Sequence, residues 1–349
     1  MGAETAWMQA TGPEGDVVMA SRVRLARNLQ GIPFPVHLDA ERGRAMTDRV
    51  LEAVAHLSSD WQLRPVRLET LSPLDRQILV EKHLASPLLV ADPIRYEAVV
   101  TDGRETVSIM VGEEDHLRIQ VLLPGLGLSE AWTVADRLDD AFEAQLDFAF
   151  DADHGYLTAY PTNVGTGLRA SVMVHLPALV LTREAGSLFH TLAQTGVVVR
   201  GLYGEGSEGR GSIFQISNQV SLGRSEEEMV HALTVVAEQV VGRERHARQQ
   251  LEKTAPVALA DRVGRAFGVL GHARVLTSEE ALQLLSDVQL GVSLDLLPAF
   301  SGATFSELVS LTRPGLLQRQ AGRELDAGER DRIRADLIQE HLASRSGAA

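Results

Sequence analysis

Cysteine is absent from the 349 residues, which excludes disulfides, thiolate zinc sites and a cysteine nucleophile. Lysine is nearly absent too. Only Lys82 and Lys253 stand among 33 basic residues, and neither falls in G-x-x-x-x-G-K-[ST], so a P-loop is excluded. The His-based metal motif H-E-x-x-H is missing as well. No apolar run reaches the roughly 18 residues a membrane span needs, and no charged-then-apolar leader opens the chain. A cytoplasmic address is therefore expected, with no membrane partner. The formal charge of −14 argues against a general nucleic-acid surface, because phosphate backbones are held by clustered cations.

What is present is hydrophobic bulk and arginine. At 44% hydrophobic, the chain can bury a full core, and its length suggests about two domains. The remaining 31 basic residues are arginine, so any bound phosphate is held by guanidinium groups, which grip its oxygens bidentately.

The first informative stretch, residues 16–29, reads as a strand with Arg22 and Arg24 on one face and Ser21 and Val23 on the other. A solvated sheet edge and a phosphate site both fit. Helical spacing covers 38–57, and a shorter helix over 73–84 ends around His83. Between Tyr96 and Leu123 three β-rich segments, broken at Asp102-Gly103 and at Glu113–Asp115, predict an antiparallel meander. Its last turn opens E-E-D-H-L-R, which carries Glu113, Glu114 and Arg118 to the edge of a core. An amphipathic helix over 129–150, with Ser129 as N-cap, is expected to cover one face of the sheet.

Gly165 and Gly167 then predict a turn before Arg169 and the apolar segment 170–181. A helix over 185–196 and a strand over 197–203 lead into G-E-G-S-E-G. That run matches the dinucleotide fingerprint G-x-G-x-x-G, but residues 212–217 read as another strand where the fingerprint requires a helix. Glu205 and Glu208 would also repel a pyrophosphate, so a cation suits this loop better. A long helix over 225–253, capped by S-E-E-E, breaks at Thr254-Ala255-Pro256. We place the domain boundary there: residues 1–254 form the first domain, with a core at about 16–245, and 255–349 form a helical second one.

Five arginines at strand ends and turns, Arg22, Arg24, Arg118, Arg169 and Arg200, are too many for one carboxylate and suit a polyphosphate. Glu114 and Glu205 suit a metal ion or a cationic acceptor. In this order S-R-V-R, E-E-D-H-L-R, P-T-N-V-G-T-G-L-R-A and the segment from Arg200 to Glu205 resemble the ATP:guanidino phosphotransferases, the phosphagen kinases. L-P-A-L-V-L-T-R, F-Q-I-S-N-Q and the C-terminal half bring the resemblance closer to the bacterial protein-arginine kinases.

The resemblance implies an α+β fold, an antiparallel β-sheet flanked by helices as in glutamine synthetase, followed by an all-helical C-terminal domain. It implies ATP and Mg²⁺, with the phosphates held by the five arginines. Ser21, Val23, His83, Ala170, Ser171, Val172, Met173, Gly201, Leu202, Tyr203, Gly204 and Glu205 would complete the nucleotide site. Glu114 and Glu205 would hold the acceptor guanidinium, while Glu113 stays unassigned between a Mg²⁺ ligand and a supporting carboxylate. R-D-R-I-R-A (Arg330, Asp331, Arg332, Ile333, Arg334, Ala335) is similar to the family's allosteric phosphoarginine signature. By itself it reads as a solvated helix face.

Tyr160 departs from the family pattern, which usually has cysteine there. Only 20 residues precede Ser21, where phosphagen kinases carry a helical domain, and this favours an open site for a protein substrate. The expected activity is transfer of the γ-phosphate of ATP to arginine side chains of proteins. The alternatives are a small-molecule guanidino kinase and a non-catalytic phosphoarginine-binding adaptor. The resemblance also implies a homodimer, a zinc-binding activator protein and delivery of marked proteins to a Clp ATPase and protease.

Overall fold

The computed structural model describes residues 5–8, 12–91, 96–201 and 209–343. Ten strands occur among them: β1 (Val18–Arg27), β2 (Arg64–Arg67), β3 (Ala98–Thr101), β4 (Val107–Val111), β5 (Leu117–Pro124), β6 (Phe150–Asp151), β7 (Gly155–Tyr156), β8 (Leu168–His175), β9 (Val197–Gly201) and β10 (Ile213–Asn218). Eight of them form one sheet in the order β2-β3-β4-β5-β1-β8-β10-β9, and β6 pairs with β7 in a separate ribbon. The meander expected from residues 96–123 is β3, β4 and β5, paired antiparallel in sequence.

Chain contacts divide the protein into two compact units. The first comprises Met1–Trp7, Ala20–Val172 and Ser217–Val235, and the second Met8–Met19, Met173–Ile216 and Val236–Ala349.

In the first unit, β1 pairs antiparallel with β5 in a register that sets Arg22 opposite Leu122, Arg24 opposite Gln120 and Ala26 opposite Arg118. Directly opposed residues share a sheet face, so Arg22, Arg24, Arg118 and Gln120 lie on one side. Val23, Leu25, Ile119 and Val121, which alternate with them, are fully buried on the other. The helix Leu128–Glu143 buries Ala131, Ala135, Leu138 and Phe142. It differs from the expected span at both ends. Gly127 is the N-cap, because its N–H is already held by Ser21 Oγ at 3.0 Å, and Ser129 lies inside the first turn. The helix stops at Glu143 because residues 147–149 extend to pair with the chain after β1: Gln30 N–H donates to Asp147 O, and Ala149 N–H to Asn28 O.

The second unit contains the C-terminal helices. Glu226–Thr254 runs from the first unit into the second and begins as its sequence predicts, with Ser225 and Glu228 exchanging side-chain-to-backbone hydrogen bonds. Ala255, with φ −141°, makes the break, and Pro256–His272 follows at once. Beyond it lie Ser278–Ser293, Phe305–Leu311, Pro314–Ala321 and Ala327–Ala343. Leu270, Leu285, Val288, Leu308, Ala335 and Ile338 are fully buried in their shared core.

Candidate active site

Four arginines meet on one face of the sheet in the first unit. Arg22 and Arg24 come from β1, Arg118 from β5 and Arg169 from β8. They are the residues that interrupt otherwise buried strands: β1 is buried along its length except at Arg22 and Arg24. Arg22 Nε donates to Ser171 Oγ at 3.4 Å, and Arg169 Nη2 to Ser217 Oγ at 3.3 Å. Gly167, at φ +66°, feeds the chain into β8. A side chain there would meet Ala26 O at 2.6 Å, so the turn requires glycine.

Cationic groups crowd one another on this face. Burial, then repulsion from Arg169 and Arg118, pulls the Arg22 guanidinium down to about 10. Burial and the neighbouring arginines lower Arg24 further, opposed only weakly by Glu113. Arg24 Nε is buried with no hydrogen-bond partner among the described residues. Guanidinium groups stay protonated at ordinary pH, so these shifts express a charge that an anion would relieve. A polyphosphate fits this face.

Arg118 is held differently. Its Nη1 lies 2.5 Å from Glu113 Oε2 and its Nη2 2.6 Å from Glu114 Oε2. Burial works against its charge, but Glu113, Glu114 and Asp115 outweigh burial and raise its pKa. Glu113 is almost wholly buried, and Ser86 Oγ donates to its other oxygen. The Glu114 side chain is 25% exposed, so a ligand can reach it where it cannot reach Glu113.

The rest of E-E-D-H-L-R is scaffold. Asp115 Oδ1 accepts from Asn28 Nδ2 and Ala159 N–H, both at 2.7 Å, which ties the turn to the segment before Tyr160. His116 Nδ1 accepts from Leu29 N–H at 2.9 Å while Nε2 faces Pro33 O at 2.8 Å. An acceptor at one nitrogen and a donor at the other fix a neutral ring. Arg27 is buried against Asp139, Nη2 to Oδ2 at 2.6 Å, with its guanidinium 3.5 Å from the Tyr156 ring centroid.

The other expected nucleotide residues divide by position. His83 sits at φ +60°, and its carbonyl accepts from Gln120 Nε2 at 2.7 Å, which brings it to the arginine face. Ser21 points away: its hydroxyl donates to Gly125 O at 2.7 Å. Val23, Ala170 and Val172 bury their side chains in the core. Met173 packs in the second unit's core. Arg200 and Gly201 end β9, also in that unit. Leu202, Tyr203, Gly204 and Glu205 lie outside the described residues. Tyr160 is half exposed. Ser86, Gln120 and Asp115 were missed as site residues. The period-two spacing of Gln120 from Arg118 could have found it, but nothing local points to Ser86.

The R-D-R-I-R-A segment lies in the helix Ala327–Ala343. Arg334 is 1% exposed and donates to Thr312 O, Leu276 O and Asp331 Oδ1 at 2.9, 2.6 and 2.5 Å. Arg330 Nη1 donates to Leu325 O at 2.7 Å. Ala335 is buried, Arg332 is exposed and Ile333 lies between.

The family model of the ATP:guanido phosphotransferase C-terminal catalytic domain matches residues 45–247, and that of the protein-arginine kinase McsB C-terminal domain matches 256–348. Over 345 residues, 98% of each chain, the sequence is 52% identical to the protein-arginine kinase of Symbiobacterium thermophilum. Over 97% of each chain it is 51% identical to that of Moorella thermoacetica. The chain belongs to the protein-arginine kinase family. Members of this family share their fold with phosphagen kinases. Lombricine kinase matches at a TM-score of 0.59 and 24% identity, covering 69% of this chain and 68% of its own. The duplicated taurocyamine kinase of Schistosoma mansoni, with bound transition state analog components, matches at 0.62 and 22% identity, over 89% of this chain and 48% of its own. At these identities the likeness speaks for the fold, which is the phosphagen-kinase-like one expected. Among the described residues no helix is long and apolar enough to cross a membrane.

Proposed function

We propose that this kinase transfers the γ-phosphate of ATP to arginine side chains of proteins. The observation that carries the reading is the crowded arginine face of Arg22, Arg24, Arg118 and Arg169 joined directly to the reachable carboxylate of Glu114. Anion site and cation site share one side chain, Arg118, as transfer from a polyphosphate to a guanidinium requires.

In this mechanism the arginines, with Arg200 as a fifth, hold the phosphate oxygens and spread the charge that grows during transfer. Glu114 and Glu205 align the acceptor guanidinium and relieve the attacking nitrogen of its proton. General-base action of this kind supplies about 10²–10⁴-fold. The phosphate oxygens would be the main ligands of Mg²⁺, which supplies further neutralisation of charge. Glu113 is spoken for by Arg118 and Ser86, and among the described residues no group of three or more His, Asp or Glu could hold a metal ion by itself.

The same reading assigns Arg330 and Asp331 to an allosteric phosphoarginine site whose shape Arg334 supports. It includes a cytoplasmic homodimer, a zinc-binding activator and hand-over of marked proteins to a Clp ATPase and protease, all resting on family resemblance. We also keep residues 1–254 and 255–349 as the functional domains, a division supported by the two family models meeting between 247 and 256.

Incubation with ATP and either casein or free arginine tests the activity, with phosphopeptide mass spectrometry under non-acidic conditions as the readout. Acid-labile phosphate on casein arginines is expected. Phosphate on free arginine alone would show a small-molecule kinase instead. Glu114→Gln should cost about 10²–10⁴-fold in transfer while nucleotide binding persists; full activity in that variant would remove Glu114 from the mechanism.

A further inference from the structure

Arg118 makes three ion pairs, a longer one to Asp115 at 3.8 Å and two close ones of unequal character. Toward Glu113 its partner is 2% exposed and pinned by the Ser86 hydroxyl, while toward Glu114 its partner is 25% exposed. The first pair is therefore fixed and the second can exchange. The Nη2 of Arg118 already sits 2.6 Å from Glu114, in the place a guanidinium donor of a substrate would take on that oxygen. The protein's own guanidinium and the acceptor's are chemically the same competitor.

We propose that Arg118 competes with the acceptor arginine for Glu114, that nucleotide phosphates relieve this competition by drawing Arg118 off Glu114, and that Glu113 is the positioning residue about which Arg118 pivots. The proposal rests on the assignment of Glu114 to the acceptor. It follows that the two substrates help each other bind. The coupling is reciprocal, because whatever the nucleotide does to acceptor affinity the acceptor does to nucleotide affinity. A guanidinium carries five N–H donors, enough to keep Glu113 at Nη1 while its other edge turns to phosphate. Two neighbouring arginines set the direction of the exchange: Arg22 and Arg24 repel Arg118 until an anion enters among them.

Binding of an acetylated, amidated arginine tripeptide to the full chain tests this, measured by calorimetry with and without Mg²⁺ and the β,γ-imido analogue of ATP. The nucleotide analogue should tighten peptide binding to the wild type by roughly 5-fold or more, the lower end of typical coupling. Without nucleotide, Arg118→Ala should bind the peptide at least as much tighter, since the internal competitor is gone, and should lose the coupling. Arg118→Gln, neutral and similar in length, should do the same, which guards against a folding defect in the alanine variant. Arg24→Ala controls for general charge. It removes a cation of the same face that does not touch Glu114, and without nucleotide it should tighten peptide binding less than either Arg118 variant does. Glu113→Gln should weaken peptide binding, because Glu114 is then the closest anionic partner left to Arg118, with Asp115 farther off at 3.8 Å. Unchanged or weaker peptide binding in both Arg118 variants overturns the proposal, as does equal tightening by Arg24→Ala. Separately, Glu114→Gln should abolish peptide binding in the Arg118→Gln background. If binding persists there, the acceptor assignment itself has failed.

Discussion

Two sets of buried arginines show how one residue type serves opposite ends. In the helical unit, Arg334 spends its donors on two backbone carbonyls and a carboxylate. On the sheet face, Arg22 and Arg24 crowd against other cations, and Arg24 Nε has no hydrogen-bond partner among the described residues. Burying a guanidinium is costly unless its donors are used. A saturated arginine therefore marks structure, and one such as Arg24, with a buried donor unused among the described residues, marks a place prepared for a ligand. If so, removing Arg24 should hurt chemistry and spare stability. Arg24→Ala should lower kcat/KM by about 10²–10³-fold, as loss of one preorganised donor does, with the melting temperature unchanged or raised as repulsion falls. A variant that melts early with normal kinetics would break the comparison.

Arg334→Ala should behave in the opposite way. It strands the carbonyls of Thr312 and Leu276, and each buried unsatisfied group costs about 1–3 kcal/mol. Thermal unfolding should show a loss of about 2–6 kcal/mol on that basis. Arg330 is only part-buried and donates to one carbonyl, so Arg330→Ala should cost about 1 kcal/mol or less. Equal losses at the two positions would mean that the helix face, rather than Arg334 itself, carries the stability.

The comparison also explains what was legible in the chain. Arg22 and Arg24 at period two announce a shared face because strand geometry is local, whereas Arg118 joins that face only through the long-range pairing of β1 with β5. The meander and the strand after the glycine-rich run were legible for the same reason. The end of the helix Leu128–Glu143 was not, since apolar spacing continues past Glu143 and only the pairing of residues 147–149 with the chain after β1 stops it. Glu113 stayed unassigned because its partner Ser86 is 27 residues away in the chain. The R-D-R-I-R-A run looked like a solvated face because spacing places Arg330 and Arg334 together. The carbonyls that bury Arg334 come from loops 22 and 58 residues earlier.

The smallest effect expected is a pH dependence, and it sharpens the contrast because its larger share belongs to the helical unit. His175 is 2% exposed, with Nε2 2.8 Å from Ser286 Oγ, its ring against Phe305 and Nδ1 without a hydrogen-bond partner among the described residues. Burial, with a smaller contribution from Arg248, holds its pKa well below the usual 6.5. The unfolded chain takes up a proton near 6.5 that the folded chain refuses, so unfolding is favoured as pH falls. Stability from His175 is fully present above that value and declines below it, by at most about 1.4 kcal/mol per pH unit for one proton. His116, also lowered by burial, adds a second loss of the same sign. Denaturant melts between pH 7.5 and 5 should therefore show a stability that falls with acid, and His175→Gln should remove one proton's share of the slope. The arginine face has no such group, since its guanidinium charges do not change over this range. Transfer rates in the same variant, compared with wild type where both are folded, should keep their pH profile. A profile that shifts with His175 would mean that the helical unit reaches into the chemistry, and the separation between structural and ligand-facing charge would have to be redrawn.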